Sequence, residues 1–211
     1  MVRIKLCGVT RLDDALRAVD LGIDVIGFNF VSESPRRIEP RQAESIAARI
    51  PAFVLRVGVF ANEAHHSLRD KARAARIHCI QFHGEEEPEE CAKAPLPWYK
   101  AHRAHHGFRL EEVQRYNSTT CLLDAYAPGR RGGTGRSGDW DLARRASAHR
   151  RVILAGGLNP GNVAEAIRSV HPYAVDVNSG VESSPGRKDI DRLARFVAQV
   201  ASSGGDRRGI P

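Results

Sequence analysis

The sequence predicts an α/β protein that closes as a compact (β/α)8 barrel. Three observations carry this. Short apolar strands alternate with amphipathic helical stretches eight times along the 211 residues. Successive strands start roughly 25 residues apart, the size of one small βα unit. The first strand is followed by Cys7-Gly8-Val9-Thr10-Arg11, whose single glycine is no dinucleotide fingerprint. That last point weighs against the rival doubly wound open sheet. The chain is short for a barrel, so its loops must be trimmed.

The elements follow in order. Residues 2–8 alternate apolar and polar positions and end in Cys-Gly, a strand broken by glycine. Leu12, Ala15, Leu16 and Val19 then recur at helical spacing within 12–21. Strands are expected over 25–30, 54–60, 79–83, 98–102, 120–125, 152–156 and 174–178, where β-branched and aromatic residues concentrate. Helices are expected over 41–49, 64–76, 88–94, 110–115, 140–149, 160–169 and 190–201. Residues 1–201 form a single barrel domain in this reading. The stretch 202–211 is rich in Gly, Ser and Arg without periodicity, and is expected to be a disordered tail.

Composition narrows the function classes. Hydrophobic content of 42% and charged content of 27% suit a soluble chain with a real core. No apolar run approaches the roughly 20 residues a bilayer demands, and no signal-peptide stretch opens the chain, so no membrane role and a cytoplasmic location are expected. The net charge of +7 favours anionic ligands. Its arginines lie on helix faces, as in Arg144-Arg145, with no interleaved aromatics, which argues against nucleic acid. Cys7, Cys79, Cys91 and Cys121 match no zinc module and read as reduced thiols. His65-His66 and His105-His106 have no carboxylate partners at ligand spacing, so no metal is expected.

A barrel gathers its chemistry where strands end and βα loops begin. Cys7 stands at the first such end. A lone buried thiol is commonly structural, so the other strand ends must decide. Arg36, in Ser34-Pro35-Arg36-Arg37-Ile38, can fork onto a substrate carboxylate or be a surface arginine, and Arg37 beside it leaves the choice open. His83 is a ligand contact, a proton carrier or a packed loop residue. Asp124 follows Cys121-Leu122-Leu123, where partial desolvation would raise its pKa and suit a general acid. A helix cap, or an ion pair with Arg130 or Arg131 of the glycine-rich stretch 128–135, would also account for it. Gly156 and Gly157 after the seventh strand, with Ser179 and Gly180 after the eighth, let backbone amides approach an anion. Phosphate commonly binds at that place in such barrels.

These blocks, with Gly27-Phe28-Asn29-Phe30, Gly58-Val59-Phe60, Gln81-Phe82-His83-Gly84 and Asp176-Val177-Asn178-Ser179-Gly180-Val181-Glu182, come in a specific order and spacing. By them the chain resembles the phosphoribosylanthranilate isomerase family from Lys5 to Asp189. The resemblance implies a compact TIM barrel. It implies an Amadori rearrangement of N-(5-phosphoribosyl)anthranilate to 1-(2-carboxyphenylamino)-1-deoxyribulose 5-phosphate in tryptophan biosynthesis. It further implies Cys7 as general base and Asp124 as general acid. Arg36 would meet the anthranilate carboxylate, with His83 a second substrate-binding residue. Gly156, Gly157, Ser179 and Gly180 would form the phosphate rim.

No cofactor is implied, because the reaction is internally redox neutral, and a monomer or homodimer is expected. A free thiol has a pKa of about 8.5 and needs help to ionise. Lys5, on the same strand face one layer lower, is not an evident source of that help. Two departures stand out: Gly138 where an aromatic is frequent, and Asn178 where serine is. Three rival readings remain, one of them nucleic-acid binding, which predicts strongly salt-dependent affinity. A two-phosphate barrel isomerase would carry Asp in place of Cys7, and a phosphosugar-binding module would need no acid–base pair.

Overall fold

The structure, a computed structural model, describes residues 1–104, 108–124 and 140–203. The stretch 128–135 with Arg130 and Arg131, the His105-His106 pair, Gly138 and the tail from 204 onward lie outside the described residues.

Eight parallel strands close in sequence order into a barrel: β1 (Arg3–Leu6), β2 (Val25–Asn29), β3 (Leu55–Phe60), β4 (Cys79–Phe82), β5 (Trp98–Arg103), β6 (Thr120–Asp124), β7 (Arg151–Ala155) and β8 (Ala174–Val177). The seam pairs β1 with β8, Lys5 opposite Asp176 and Leu6 opposite Val177. Helices follow the strands: α1 (Leu12–Asp20), α2 (Pro40–Ala47), α3 (His65–Ala74), α4 (Pro88–Cys91), α5 (Leu110–Gln114), α6 (Trp140–Ser147), α7 (Val163–Val170) and α8 (Ile190–Ser202). All eight strand–helix units expected from the sequence are present, with ends shifted by up to three residues in either direction. The last helix runs one residue beyond its expected end.

Strand alternation divides the apolar side chains into two cores. Ile4, Leu6, Ile26, Phe28 and Leu154 pack outward under the helices, joined by Leu193, Phe196 and Val200 at three- and four-residue spacing on α8. Val57, Tyr99, Leu122, Ile153 and Ala174 fill the barrel interior. Along each strand the next inward position after this layer reaches the rim. Leu122 therefore leads to Asp124, and Lys5 leads to Cys7. All four cysteines are buried free thiols.

One feature was not anticipated. After β8 comes a single 3-10 turn, Ser179–Val181, then a short antiparallel hairpin of β9 (Glu182–Ser184) and β10 (Arg187–Lys188). Thr10 Oγ1 donates to the Gly186 carbonyl at 2.7 Å and the Lys188 N–H donates to Asp14 Oδ2 at 3.0 Å. The hairpin thus clamps the loop and helix that follow β1.

Candidate active site

An open cavity of about 530 Å³ lies at the carboxyl ends of the strands. Cys7, His83, Asp124, Gly156, Gly157, Ser179 and Gly180 all line it, so one space unites candidates drawn from five strand ends. Arg36 is not part of its wall.

Cys7 sits one residue beyond β1, where its N–H donates to the Val177 carbonyl at 2.9 Å. Lys188 reaches under it from β10 and donates to the Cys7 carbonyl at 2.6 Å, to Asn178 Oδ1 at 3.0 Å and to Glu182 Oε1 at 2.9 Å. These bonds fix the backbone that carries the thiol. Burial pushes the Cys7 thiol up from its ordinary value; the Lys5 ammonium is the strongest influence drawing it back, while Asp176 opposes and Lys188 assists. Lys5, which its spacing did not mark as a source of help, is therefore the cation that most favours the thiolate. It is almost wholly buried and donates to Asp176 Oδ2 at 2.7 Å. Gly27 on β2 leaves the room, since a Cβ there would stand 3.2 Å from Lys5 Cε and from Cys7 Cα. Burial alone would discharge Lys5, but Asp176, with Cys7 and Tyr99, holds the ammonium above its ordinary value.

Asp124 closes β6, half-buried at the cavity edge. His83 lies beyond β4, its N–H donating to the Phe60 carbonyl at 2.7 Å. Tyr99 Oη donates to Gln81 Oε1 at 2.9 Å, and Gln81 Nε2 meets His83 Nδ1 at 2.9 Å. That chain puts the remaining ring proton on Nε2. Burial draws His83 below its ordinary value, with Asp124 the main opposing influence, and the residue lines the cavity.

Arg36 is held by a carboxylate of the chain itself. Its Nε donates to both Glu182 oxygens at 3.0 Å and its Nη2 to Oε2 at 2.6 Å. Glu182 would be pushed up by burial, but Arg36 and Lys188 hold it below the usual carboxylate range. The Nη1 end of the Arg36 fork takes no part in these bonds. Asn178, the departure from serine, accepts from Lys188 and so belongs to the bracing of Cys7.

The glycine rim is built for close approach. Gly156 and Gly157 have φ of 95° and 65°, the left-handed region that favours glycine. A Cβ on Gly180 would lie 2.0 Å from the Leu158 carbonyl oxygen, so the loops after β7 and β8 touch backbone to backbone. Asn159 and Asn162 donate to the Gly157 carbonyl at 3.1 and 3.0 Å. The N–H groups of Gly157, Ser179 and Gly180 make no hydrogen bond among the described residues. Unpaired amides on one rim suit an anion.

Reasoning from sequence passed over Lys5, Asp176, Glu182 and Lys188 as site residues. The available signal was a charge at an inward position of each of two neighbouring strands, β1 and β8. Among the described residues, no three His, Cys, Asp or Glu side chains converge as a metal set would. No described helix is long and apolar enough to cross a membrane.

Comparison with known proteins agrees with this fold. A family model described as N-(5'phosphoribosyl)anthranilate (PRA) isomerase matches residues 4–199. The N-(5'-phosphoribosyl)anthranilate isomerase of Trichlorobacter lovleyi is 48% identical over 198 residues, covering 93% of this chain and 97% of that protein. A solved structure of monomers generated from the dimeric enzyme of Thermotoga maritima is 39% identical with a TM-score of 0.85, covering 95% of this chain and 99% of that one. A further solved isomerase, in complex with reduced 1-(o-carboxyphenylamino)-1-deoxyribulose 5-phosphate, is 38% identical with a TM-score of 0.84, covering 96% and 100%.

Proposed function

The chain belongs to the phosphoribosylanthranilate isomerase family, whose enzymes serve tryptophan biosynthesis, and from that premise we propose that Cys7 and Asp124 carry out its Amadori rearrangement as base and acid. The observation that supports this best is that the thiol, the carboxyl and the amide rim line one cavity.

The substrate is N-(5-phosphoribosyl)anthranilate. Its phosphate would sit on the amides of Gly157, Ser179 and Gly180, backed by Gly156. Asp124, protonated, gives its proton to the ribose ring oxygen, and the ring opens to an iminium. The positive nitrogen acidifies the proton on C2. Cys7, as thiolate beside the Lys5 ammonium, removes it to leave an enolamine, which tautomerises to 1-(2-carboxyphenylamino)-1-deoxyribulose 5-phosphate. General acid–base steps of this kind contribute about 10²- to 10⁴-fold each. His83 donates from Nε2 to the bound substrate. Arg36, held by Glu182, offers its Nη1 end to the anthranilate carboxylate. Hydride and electron carriers have no place in the scheme, since C1 is reduced as C2 is oxidised.

The partner is a small phosphorylated molecule, not nucleic acid, and the protein works in the cytoplasm as a monomer or homodimer built from one barrel domain. The test is the loss of phosphoribosylanthranilate fluorescence on adding purified protein. Consumption well above the spontaneous rate is expected. Consumption at the spontaneous rate, with the phosphorylated product still bound, would favour a phosphosugar-binding module.

A further inference from the structure

Asp176 is the one carboxylate at the floor of the cavity whose hydrogen bonding is half complete among the described residues. Its side chain is 8% exposed, and it lines the same cavity as Cys7 and Asp124. Oδ2 is taken by Lys5 at 2.7 Å. Oδ1 is buried and has no hydrogen-bond partner among the described residues. Buried polar atoms are otherwise nearly always paired, so an orphaned oxygen in a cavity wall calls for an explanation. Burial pushes the Asp176 carboxyl above its ordinary value, and the Lys5 ammonium at 2.7 Å is the strongest influence drawing it back; as the carboxylate of that ion pair it only accepts. Whatever completes it must donate.

The donor follows from the surroundings. This inference rests on the reading of the site as that of the isomerase. The phosphate lies at the β7–β8 rim and the carboxylate lies toward Arg36; both ends of the substrate are anionic, and Asp176 repels them. Hydroxyls of the pentose lie between. Asp176 is opposite Lys5 in the β8–β1 register, and Cys7 is the next inward position above Lys5. The pentose carbon facing Cys7 is C2, which carries both the proton to be removed and a hydroxyl.

We propose that Asp176 Oδ1 accepts a hydrogen bond from the C2 hydroxyl of the open-chain substrate, with Lys5 as the positioning residue that holds the carboxylate turned toward it. The contact fixes the rotation about C2 and directs the C2 proton at the Cys7 sulfur. It also makes Asp176 a residue that reads the substrate, because an analogue without this hydroxyl leaves the buried oxygen unpaired.

The experiment compares two ligands by titration calorimetry: the reduced product, which carries a C2 hydroxyl, and its counterpart lacking that hydroxyl. The unaltered protein is expected to bind the first about tenfold to a hundredfold more tightly, the worth of a hydrogen bond to a charged group. In the double variant Lys5→Met with Asp176→Leu, which leaves no unpaired charge, the two ligands are expected to bind alike. Should that variant fail to fold, the isosteric Asp176→Asn must shrink the ratio. Equal binding of both ligands by the unaltered protein, or a ratio undiminished in the variants, overturns the proposal while leaving the isomerase reading intact. Failure of both ligands to bind the unaltered protein overturns the isomerase reading, and this one with it.

Discussion

Cys7, one residue past β1, and Asp124, the last residue of β6, line the same cavity, yet their surroundings differ. At the β8–β1 seam, buried charges are abundant and every one is paired: Lys5 with Asp176, and Glu182 with both Arg36 and Lys188. Around β5 and β6 the inward side chains are Tyr99, Leu122 and the cavity-lining Arg103, the buried Lys100 on the other face of β5 pairs with Glu86, and Asp124 itself is half-buried at the cavity edge. The difference fits the roles proposed for the two groups. A thiol in a low-dielectric wall stays neutral unless fixed cations favour its anion. A carboxyl that gives away a proton needs to regain it, and access to water supplies one. Both sides bury ion pairs that are expensive to desolvate, but the Lys5–Asp176 pair at the seam lies directly beneath the thiol, while Lys100–Glu86 is on the face of β5 turned away from the barrel interior.

The largest expected effect breaks the acid side. Asp124→Asn removes the proton donor with little change in shape, and kcat should fall about 10³-fold. Binding of the reduced product should persist in the same variant, as calorimetry can show.

Next comes the rim that both sides share. Gly180→Ala forces a Cβ onto the Leu158 carbonyl, 2.0 Å away, so the loops after β7 and β8 must part. Because the phosphate contact serves ground state and transition state alike, KM should rise about 10²-fold with a smaller fall in kcat. Steady-state kinetics separates the two.

Lys188→Met attacks the bracing of the base side. Lys188 has no exposed side-chain surface, and its loss strips one of two cationic partners from Glu182 and frees the Cys7 carbonyl. Urea unfolding should show a loss of about 3 kcal/mol, the low end for breaking a buried pair, because Arg36 stays on Glu182.

A smaller effect sharpens the contrast from the other side. His102 on β5 packs against Phe108 and Tyr116, its Nε2 buried without a partner among the described residues. Burial draws its pKa from 6.5 to about 4. A depressed pKa contributes stability that is present above the unfolded value and lost as pH falls through the folded one. Stability should therefore drop between pH 6.5 and about 4, by on the order of 3 kcal/mol or less. His102→Phe should remove that part of the drop, read as the difference between two urea–pH series.

Much of this was legible in the sequence because it is periodic or local. Eight apolar runs spaced by helical stretches fix the barrel, and the parity of each strand places Cys7, His83 and Asp124 on the inward face. Gly156-Gly157 and Ser179-Gly180 announce a rim because glycine has few other uses at adjacent strand ends. The hairpin of β9 and β10 was not legible. Its strands are three and two residues long and mostly polar, so they leave no hydrophobic period, though Ser184-Pro185-Gly186 is a turn signal. The partner of Arg36 was hidden for another reason: Glu182 is 146 positions away, and ion pairs between distant residues leave no pattern along a chain. Lys5 and Asp176 were hidden in the same way. Each reads as a lone charge in a strand until barrel closure sets β1 beside β8.

The central claim is that Cys7 takes the proton from C2. The most direct measurement is turnover of Cys7→Ser, which keeps size and burial but replaces the thiol with a hydroxyl that does not ionise beside Lys5. Followed by phosphoribosylanthranilate fluorescence, turnover should fall at least about 10³-fold, with melting temperature and product-analogue affinity unchanged. Turnover near that of the unaltered protein would contradict the account.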